Sequence, residues 1–114
     1  MEEELCRLRD IYRLLQEFEQ KFENMYNLCL NEGMLMCILQ KKGKALSGEL
    51  AGELGLTYSN ASKVIKSVEN KGLIQRELGK EDKRNMYFSL SKKGEEVLKE
   101  IKCSKMELPD ITLN

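Results

Sequence analysis

The sequence of 114 residues contains no histidine, a single proline and no C-x-x-C pair among its four cysteines. Without histidine, the chain lacks the commonest general base and the Ser-His and Cys-His arrangements that activate nucleophiles. A structural zinc site draws on clustered Cys and His ligands, whereas the cysteines here are dispersed. These absences predict a protein that is not an enzyme and that holds no cofactor or metal. The cysteines are Cys6, Cys29, Cys37 and Cys103.

Long hydrophobic runs are also absent. No stretch of about 18 apolar residues occurs, so no membrane-spanning helix is predicted. The chain opens with MEEEL, acidic where a secretory signal would be basic, so no signal peptide is predicted. Charged residues make up 33% of the chain and hydrophobic residues 41%, which is typical of a soluble globular chain. We expect a cytoplasmic protein whose residues 1–114 form one domain with a modest core.

The net charge of zero conceals an uneven distribution along the chain. Residues 57–93 carry nine Lys or Arg and four Asp or Glu, a net charge of +5, whereas residues 1–56 carry −3 and residues 94–114 carry −2. A basic segment inside an acidic frame is what a polyanion-binding surface would look like. A basic surface that is merely solvated has the same signature, so charge by itself leaves both interpretations open.

Residues 3–30 contain neither glycine nor proline, and their apolar residues recur at spacings of three, four and seven. This period predicts one long amphipathic helix. At about 1.5 Å per residue it would extend roughly 40 Å, more than a domain this small can bury against itself. We therefore expect a second copy of the chain to cover part of it. The residues expected at that contact are Leu5, Leu8, Tyr12 and Leu15.

A short second helix is expected after Asn31, which can cap it, and Gly43 should end it. Its middle is nearly all apolar, so it is expected at the centre of the core. These apolar residues are Met34, Leu35, Cys37, Ile38 and Leu39.

The segment SGELAGELGLTYSNASKVIKSVENKG reads as helix, tight turn, helix. Ser47 is expected to cap the first helix, Gly55 to end it, and Thr57 to cap the second. The second helix should run from Tyr58 to about Lys71. A turn of this length is typical of a helix-turn-helix. The residues expected to face inward are Leu50, Ala51, Leu54, Ala61, Val64, Ile65 and Val68.

The outward face of the second helix has short polar side chains near its N-terminus and lysines one turn later, and its first acidic residue is Glu69. Such side chains at a helix N-terminus suit contact with base edges and phosphates, whereas an ordinary solvent face mixes Glu with Lys. Together with the local charge of +5, this pattern favours DNA contact. The outward residues are Tyr58, Ser59, Asn60, Ser62, Lys63, Lys66 and Ser67.

Residues 73–78 and 86–90 read as two antiparallel strands around the charged tip GKEDKRN, and Ser91 is expected to cap a last helix. The order helix, helix-turn-helix, hairpin, helix predicts a winged helix, a mainly α fold with a two-stranded wing. The expected parts are a dimerisation helix at 1–30, the winged helix-turn-helix at 31–90, a C-terminal helix at 91–108 and a tail at 109–114.

The segment from about 45 to 98 resembles the MarR family of bacterial transcriptional regulators. The segment ELAGELGLTYSNASKVIKSVENKGLIQRE is similar to the family's helix-turn-helix and the entry to its wing. The family's wing pattern is D-x-R, five residues, then L-[TS]-x-x-G. It is matched in register by Asp82, Arg84, Leu90, Ser91 and Gly94.

The resemblance implies a homodimer on a pseudo-palindromic operator, formed through the first helix and the C-terminal helix. It also implies that the second helix of the helix-turn-helix enters the major groove and that the wing enters the minor groove. It implies that Arg84 enters the minor groove, held by Asp82, where the potential is most negative. A simple surface ion pair between these two residues is the alternative. The residues assigned to double-stranded DNA are Thr57, Tyr58, Ser59, Asn60, Ser62, Lys63, Lys66, Lys80, Asp82, Lys83 and Arg84.

The resemblance also makes a small-molecule effector a candidate partner, since family members often bind phenolic or lipophilic compounds. Some members sense peroxide through a cysteine on the first helix, and here Cys6 lies beside Arg7. Core packing and an inert thiol are the alternatives. The side chains that are candidates to line an effector cleft are Tyr12, Phe22, Tyr26, Met34 and Met36.

Family members usually have two helices after the wing. Here the helix from Lys92 is expected to end near Lys105, and Pro109 follows, so the last dimerisation helix is expected to be missing or vestigial. A winged-helix module that binds proteins and not DNA is therefore kept as the alternative function.

Overall fold

The computed structural model describes residues 1–80 and 85–103, and these form the winged helix that the sequence predicts. The described residues divide into two compact units, Met1–Leu30 and Asn31–Cys103. The elements are α1 (Glu2–Tyr26), α2 (Leu30–Lys42), β1 (Ala45–Leu46), α3 (Ser47–Leu54), α4 (Tyr58–Asn70), β2 (Ile74–Leu78), β3 (Met86–Leu90) and α5 (Lys92–Lys102).

The first helix is shorter than predicted. It ends at Tyr26 because Asn27 adopts the left-handed conformation, with φ 56°, and its N–H donates to the carbonyl oxygen of Glu23 at 2.8 Å. Asparagine tolerates this conformation better than most residues. The next helix begins at Leu30, so Asn31 lies inside its first turn. The predictions of a helix to residue 30 and of an Asn31 cap are therefore wrong.

Most of the apolar face of α1 is exposed to solvent. Phe22 is the one residue of this helix that is buried; its ring centroid lies 6.3 Å from that of Phe18 and 5.1 Å from that of Tyr26. Towards the N-terminus, Leu8 and Tyr12 are 57% and 63% exposed. Among the helices of the described residues, none is long and apolar enough to cross a membrane.

The core of the second unit is built from α2 to α5 and the sheet. Its largest fully buried side chains are Leu35, Met36, Leu39, Leu50, Val68 and Leu98. The predicted central position of α2 is correct for one face only, because Met34 and Cys37 are exposed. An unbroken apolar run gives no period, so the sequence could not distinguish the two faces of this helix.

The sheet has three antiparallel strands in the order β1-β3-β2, one more than predicted. β2 pairs with β3 from Ile74 opposite Leu90 to Leu78 opposite Met86. β1 adds Ala45 opposite Phe88 on the other edge of β3. A strand of two residues shows no alternation, so only its pairing partner reveals it.

The last helix begins as predicted and is described to Lys102. The Ser91 hydroxyl accepts from the N–H of Gly94 at 3.0 Å and donates to the carbonyl oxygen of Gly72 at 2.7 Å. The helix ends at Lys102, with Cys103 as its C-cap, and is therefore shorter than the predicted 91–108. The predicted tail lies outside the described residues.

Candidate nucleic-acid interface

The turn between α3 and α4 has the predicted geometry. α3 ends at Gly55, where φ is 67° and where the N–H of Leu56 donates to the carbonyl oxygen of Ala51 at 3.0 Å. The Thr57 hydroxyl caps α4 by accepting from the N–H of Asn60 at 3.1 Å. Glycine adopts the positive φ at this turn without strain. The threonine hydroxyl bonds a backbone N–H at the start of α4 that would otherwise lack a partner in the helix. Both residues therefore stabilise the turn that leads into α4.

The start of α3 differs from the prediction. Ser47 is already helical, and Leu46 occupies the capping position. The N–H of Leu46 instead donates to Oε1 of Glu49 at 3.0 Å. The carboxylate side of a capping box is thus present without the predicted serine cap.

The two faces of α4 fall as predicted, with one exception. Ala61, Ile65 and Val68 are buried and Val64 is half-buried. The exception is Ser67, whose hydroxyl is directed towards α2 and not towards solvent. The predicted DNA-contact residues that are exposed are Thr57, Tyr58, Ser59, Asn60, Lys63 and Lys66, and Ser62 is half-buried.

An ion pair joins the C-terminal half of α4 to the wing. Arg76 on β2 donates from Nε and from its terminal nitrogen to the two oxygens of Glu69, at 2.5 and 3.0 Å. The hydrogen bond from Arg76 is the main cause that lowers the pKa of Glu69, and the same bond raises the pKa of Arg76. The guanidinium also lies 5.5 Å from the ring centroid of Phe88. The ionised carboxylate of Glu69 is therefore paired with a cation and held close to the sheet.

A second ion pair joins α4 to α2. Nζ of Lys71 lies 2.9 Å from both carboxylate oxygens of Glu32, and the hydroxyl of Ser67 donates to one of them at 2.8 Å. Glu32 is only 4% exposed. Neither ion pair was predictable from the sequence, because a glutamate in a helix carries no local sign that its partner lies on another element.

An open cleft of about 490 Å³ lies between α4 and the wing. Met86 and Phe88 of β3 contribute apolar side chains, while Tyr58, Ser62 and Lys66 of α4 contribute polar ones. The cleft thus combines hydroxyl and ammonium donors with an apolar wall on the exposed side of α4.

The tip of the wing is described only at its base. The N–H of Gly79 donates to the carbonyl oxygen of Asn85 at 2.9 Å, and Lys80 is exposed. Asp82, Lys83 and Arg84 lie outside the described residues, so their assignment to DNA stays a prediction.

The candidate effector residues are divided between the two units. Met36 is fully buried in the core of the second unit, which agrees with the packing alternative, whereas Met34 is 47% exposed. In the first unit the ring of Phe22 packs against that of Tyr26 at a tilt of 58°, and Tyr12 is exposed. Cys6 is also exposed. An effector cleft and a redox role for Cys6 stay predictions.

Comparison with known proteins supports the resemblance. The HTH-type transcriptional regulator Hpr of Geobacillus thermodenitrificans is 33% identical over 105 residues, which cover 91% of this chain and 50% of that relative. The chain thus spans about half the length of the curated relatives it matches.

Two solved structures illustrate the shared fold. The regulator BldR from Sulfolobus solfataricus has a TM-score of 0.73 at 24% identity, over 84% of this chain and 69% of that one. A MarR mutant from Escherichia coli complexed with operator DNA has a TM-score of 0.70 at 16% identity, over 81% of this chain and 68% of that one. The MarR family profile matches residues 28–86. Because this match covers more than half of the sequence, the chain belongs to the MarR family.

Proposed function

We propose that this chain is a transcriptional regulator that binds duplex DNA by inserting α4 into the major groove. The observation that carries the proposal is the surface of α4, where hydroxyl, amide and ammonium groups are exposed and the one carboxylate, that of Glu69, is paired with Arg76. The solved structure of an E. coli MarR mutant with operator DNA supports the same use of the fold.

The sequence and the ion pairs of α4 together account for this surface. Glu69 is the single acidic residue of α4, and Arg76 neutralises it. Lys63 and Lys66 are exposed, and Glu69, three residues after Lys66, is already bound by Arg76. A helix fits the major groove, which is about 12 Å wide, and its positive N-terminal end attracts phosphate. The N-terminal residues Ser59 and Asn60 would then meet base edges.

The cleft between α4 and the wing suits the sugar–phosphate backbone beside that groove. Its donors include the hydroxyls of Tyr58 and Ser62 and the ammonium of Lys66, and the paired Glu69 and Arg76 also line it. A DNA strand with a phosphate bound there would run from α4 towards the tip of the wing. The minor-groove role of Lys80, Asp82, Lys83 and Arg84 remains part of the proposal on the strength of the family resemblance.

We also propose a homodimer on a pseudo-palindromic operator. Leu5, Leu8 and Tyr12 are each more than half exposed, and together with Leu15 they line an open groove of about 510 Å³ on α1. Contiguous apolar surface of this kind is rare on monomeric proteins and usually marks a contact with another chain. A two-fold dimer would present two copies of α4 to two half-sites.

Salt-dependent DNA binding tests the proposal. A binding site is first selected from a random duplex library, and affinity for that site and for a scrambled duplex is then measured by fluorescence anisotropy across a salt series. We expect tighter binding to the selected site and a fall of log K with log salt, at about 0.9 per neutralised phosphate. No binding to any duplex at low salt would favour the protein-interaction module instead.

A further inference from the structure

A buried carboxylate on α2 holds the C-terminal turn of α4. Glu32 lies in the first turn of α2 and is 4% exposed, while Lys71 is the residue that caps the C-terminus of α4. Lys71 contacts both oxygens of Glu32 at 2.9 Å, and Ser67, one turn earlier, donates its hydroxyl hydrogen at 2.8 Å. The acid is near a helix N-terminus and the cation near a helix C-terminus, so both helix dipoles favour the pair.

The two anchors of α4 act from different sides of the helix. Ser67 and Lys71 are four residues apart and share one face, whereas Glu69 lies two residues from each, about 200° around the helix. The first pair is bound by Glu32 of α2 and Glu69 is bound by Arg76 of β2. Ion pairs therefore hold the C-terminal half of α4 on two sides. The polar residues of its N-terminal half remain available to enter a DNA groove.

Directional contacts fix a helix more sharply than apolar packing does. The apolar side chains of Ile65 and Val68 pack α4 against the core. The hydrophobic effect is not directional, so this packing tolerates small rotations of the helix. A carboxylate that accepts three hydrogen bonds from two side chains does not tolerate them, because hydrogen bonds weaken steeply as distance and angle change. A buried ion pair adds little net stability over apolar side chains of the same volume, so stability alone is a poor reason for it.

We infer that Glu32 is a positioning residue that sets the rotation and tilt of α4 and thereby the ability of the chain to discriminate between DNA sequences. This inference rests on the proposed function, since it assigns the discrimination to base contacts made from α4. Loss of the Glu32 carboxylate would leave α4 with only its ion pair to Arg76 of β2. The side chains at the N-terminus of α4 would then no longer align with base edges.

Substitution of Glu32 by its amide tests the inference. Glu32→Gln keeps the shape of the side chain and removes its charge, and Glu53→Gln is the matched control, since Glu53 forms an exposed pair with Lys42 at 3.7 Å. We expect Glu32→Gln to reduce the ratio of affinities for the selected and scrambled duplexes by about tenfold, as for loss of one base contact. The salt slope should not change, because the lysines of α4 remain. The control should retain the wild-type ratio and slope.

A milder variant covers the case in which Glu32→Gln does not fold. Ser67→Ala removes a single hydrogen bond to the carboxylate, and we expect it to lower the affinity ratio about threefold. Circular dichroism identifies the temperature at which each variant is folded, and binding is measured there. A wild-type ratio in every folded variant would overturn the inference and assign Glu32 a purely structural role. Absence of DNA binding by the wild-type chain would instead overturn the proposed function, and this inference with it.

Discussion

Gly94 lies where the first turn of α5 meets the backbone at the start of the wing. A Cβ atom at this position would lie 2.0 Å from the carbonyl oxygen of Leu73, far closer than two atoms that are not bonded to each other can approach. That same carbonyl accepts from the N–H of Ser91 at 3.0 Å, so it cannot move away without breaking a bond. The serine and the glycine of the L-S-x-x-G pattern thus serve one close contact between helix and strand.

We predict that Gly94→Ala destabilises the chain by about 2 kcal/mol or more, because overpacking at a fixed backbone atom forces the two elements apart. Gly52→Ala is the matched control. Gly52 is helical and exposed, and a Cβ there meets nothing within 4 Å. We expect this control to stabilise α3 by about 0.5–1 kcal/mol. Urea denaturation measures both, and equal stabilities of the Gly94→Ala and wild-type chains would contradict the prediction.

The Glu69–Arg76 pair should make stability depend on pH. The hydrogen bond from Arg76 lowers the pKa of Glu69 from its ordinary value of 4.5, so the folded chain favours the ionised form. The stabilising contribution is therefore present above that ordinary value and is lost as the pH falls through the lowered one.

We predict that the melting temperature of wild type exceeds that of Glu69→Gln at about pH 7 and that the difference shrinks as the pH falls towards about pH 3 and the carboxylate begins to take up a proton. Thermal unfolding followed by circular dichroism across this range measures it. The difference should also shrink at high salt, because Arg76 is exposed and salt screens exposed charges. A difference that is the same at both pH values would show that the ion pair is not its source.

At the scale of the element, α4 is the part of the molecule that the sequence predicted best. Its cap, its buried face and its exposed N-terminal residues follow from local hydrogen bonding and a period of 3.6 residues. Its anchors were not predictable, because Glu32 and Arg76 lie on other elements. The same reason explains β1, which exists only through its pairing with β3.

We predict that Lys63→Ala and Arg84→Ala both weaken DNA binding, in different ways. Lys63 is exposed in the second turn of α4, so loss of a base contact should cost roughly 1–3 kcal/mol and relax the preference at one position of the site. Arg84 is expected to meet a minor groove or a phosphate. Its loss should weaken binding evenly and reduce the salt slope by about one.

The measurement is fluorescence anisotropy on selected and scrambled duplexes across a salt series. Lys99→Ala is the control, because it removes the same charge from α5, where Lys99 lies beside Glu95 and Glu96 in a groove behind the wing. None of the three changes should alter the melting temperature much. If Arg84→Ala keeps the affinity and salt slope of the wild type, the charged tip of the wing is only solvated.

At the scale of the whole molecule, the exposed stripe of α1 is the feature that a single chain does not account for. Leu5, Leu8 and Tyr12 are exposed over a groove with few polar atoms. Burial of such side chains contributes about 1.5–3 kcal/mol each, enough for several of them to hold two chains together at micromolar concentration.

We predict that the chain sediments as a dimer at micromolar concentration and that Leu8→Asp with Leu15→Asp yields monomers or unfolds the chain. Charge placed in an apolar contact would have to lose its hydration without a partner. Gln16→Asp adds a charge to the same exposed helix outside the groove and should leave the dimer intact. Analytical ultracentrifugation measures all three, and a wild-type monomer at high concentration would contradict the prediction.

The sequence by itself determined the order of the elements, the turn at Gly55 and the cap at Thr57, because these depend on neighbours a few residues away. It also identified the family, because the helix-turn-helix and the wing pattern keep their register along the chain. Only the tertiary structure decided which elements hold α4. Ion pairs and strand pairs form between residues that are distant along the chain, so Glu32, Arg76 and β1 acquire their roles only when the fold brings their partners within reach.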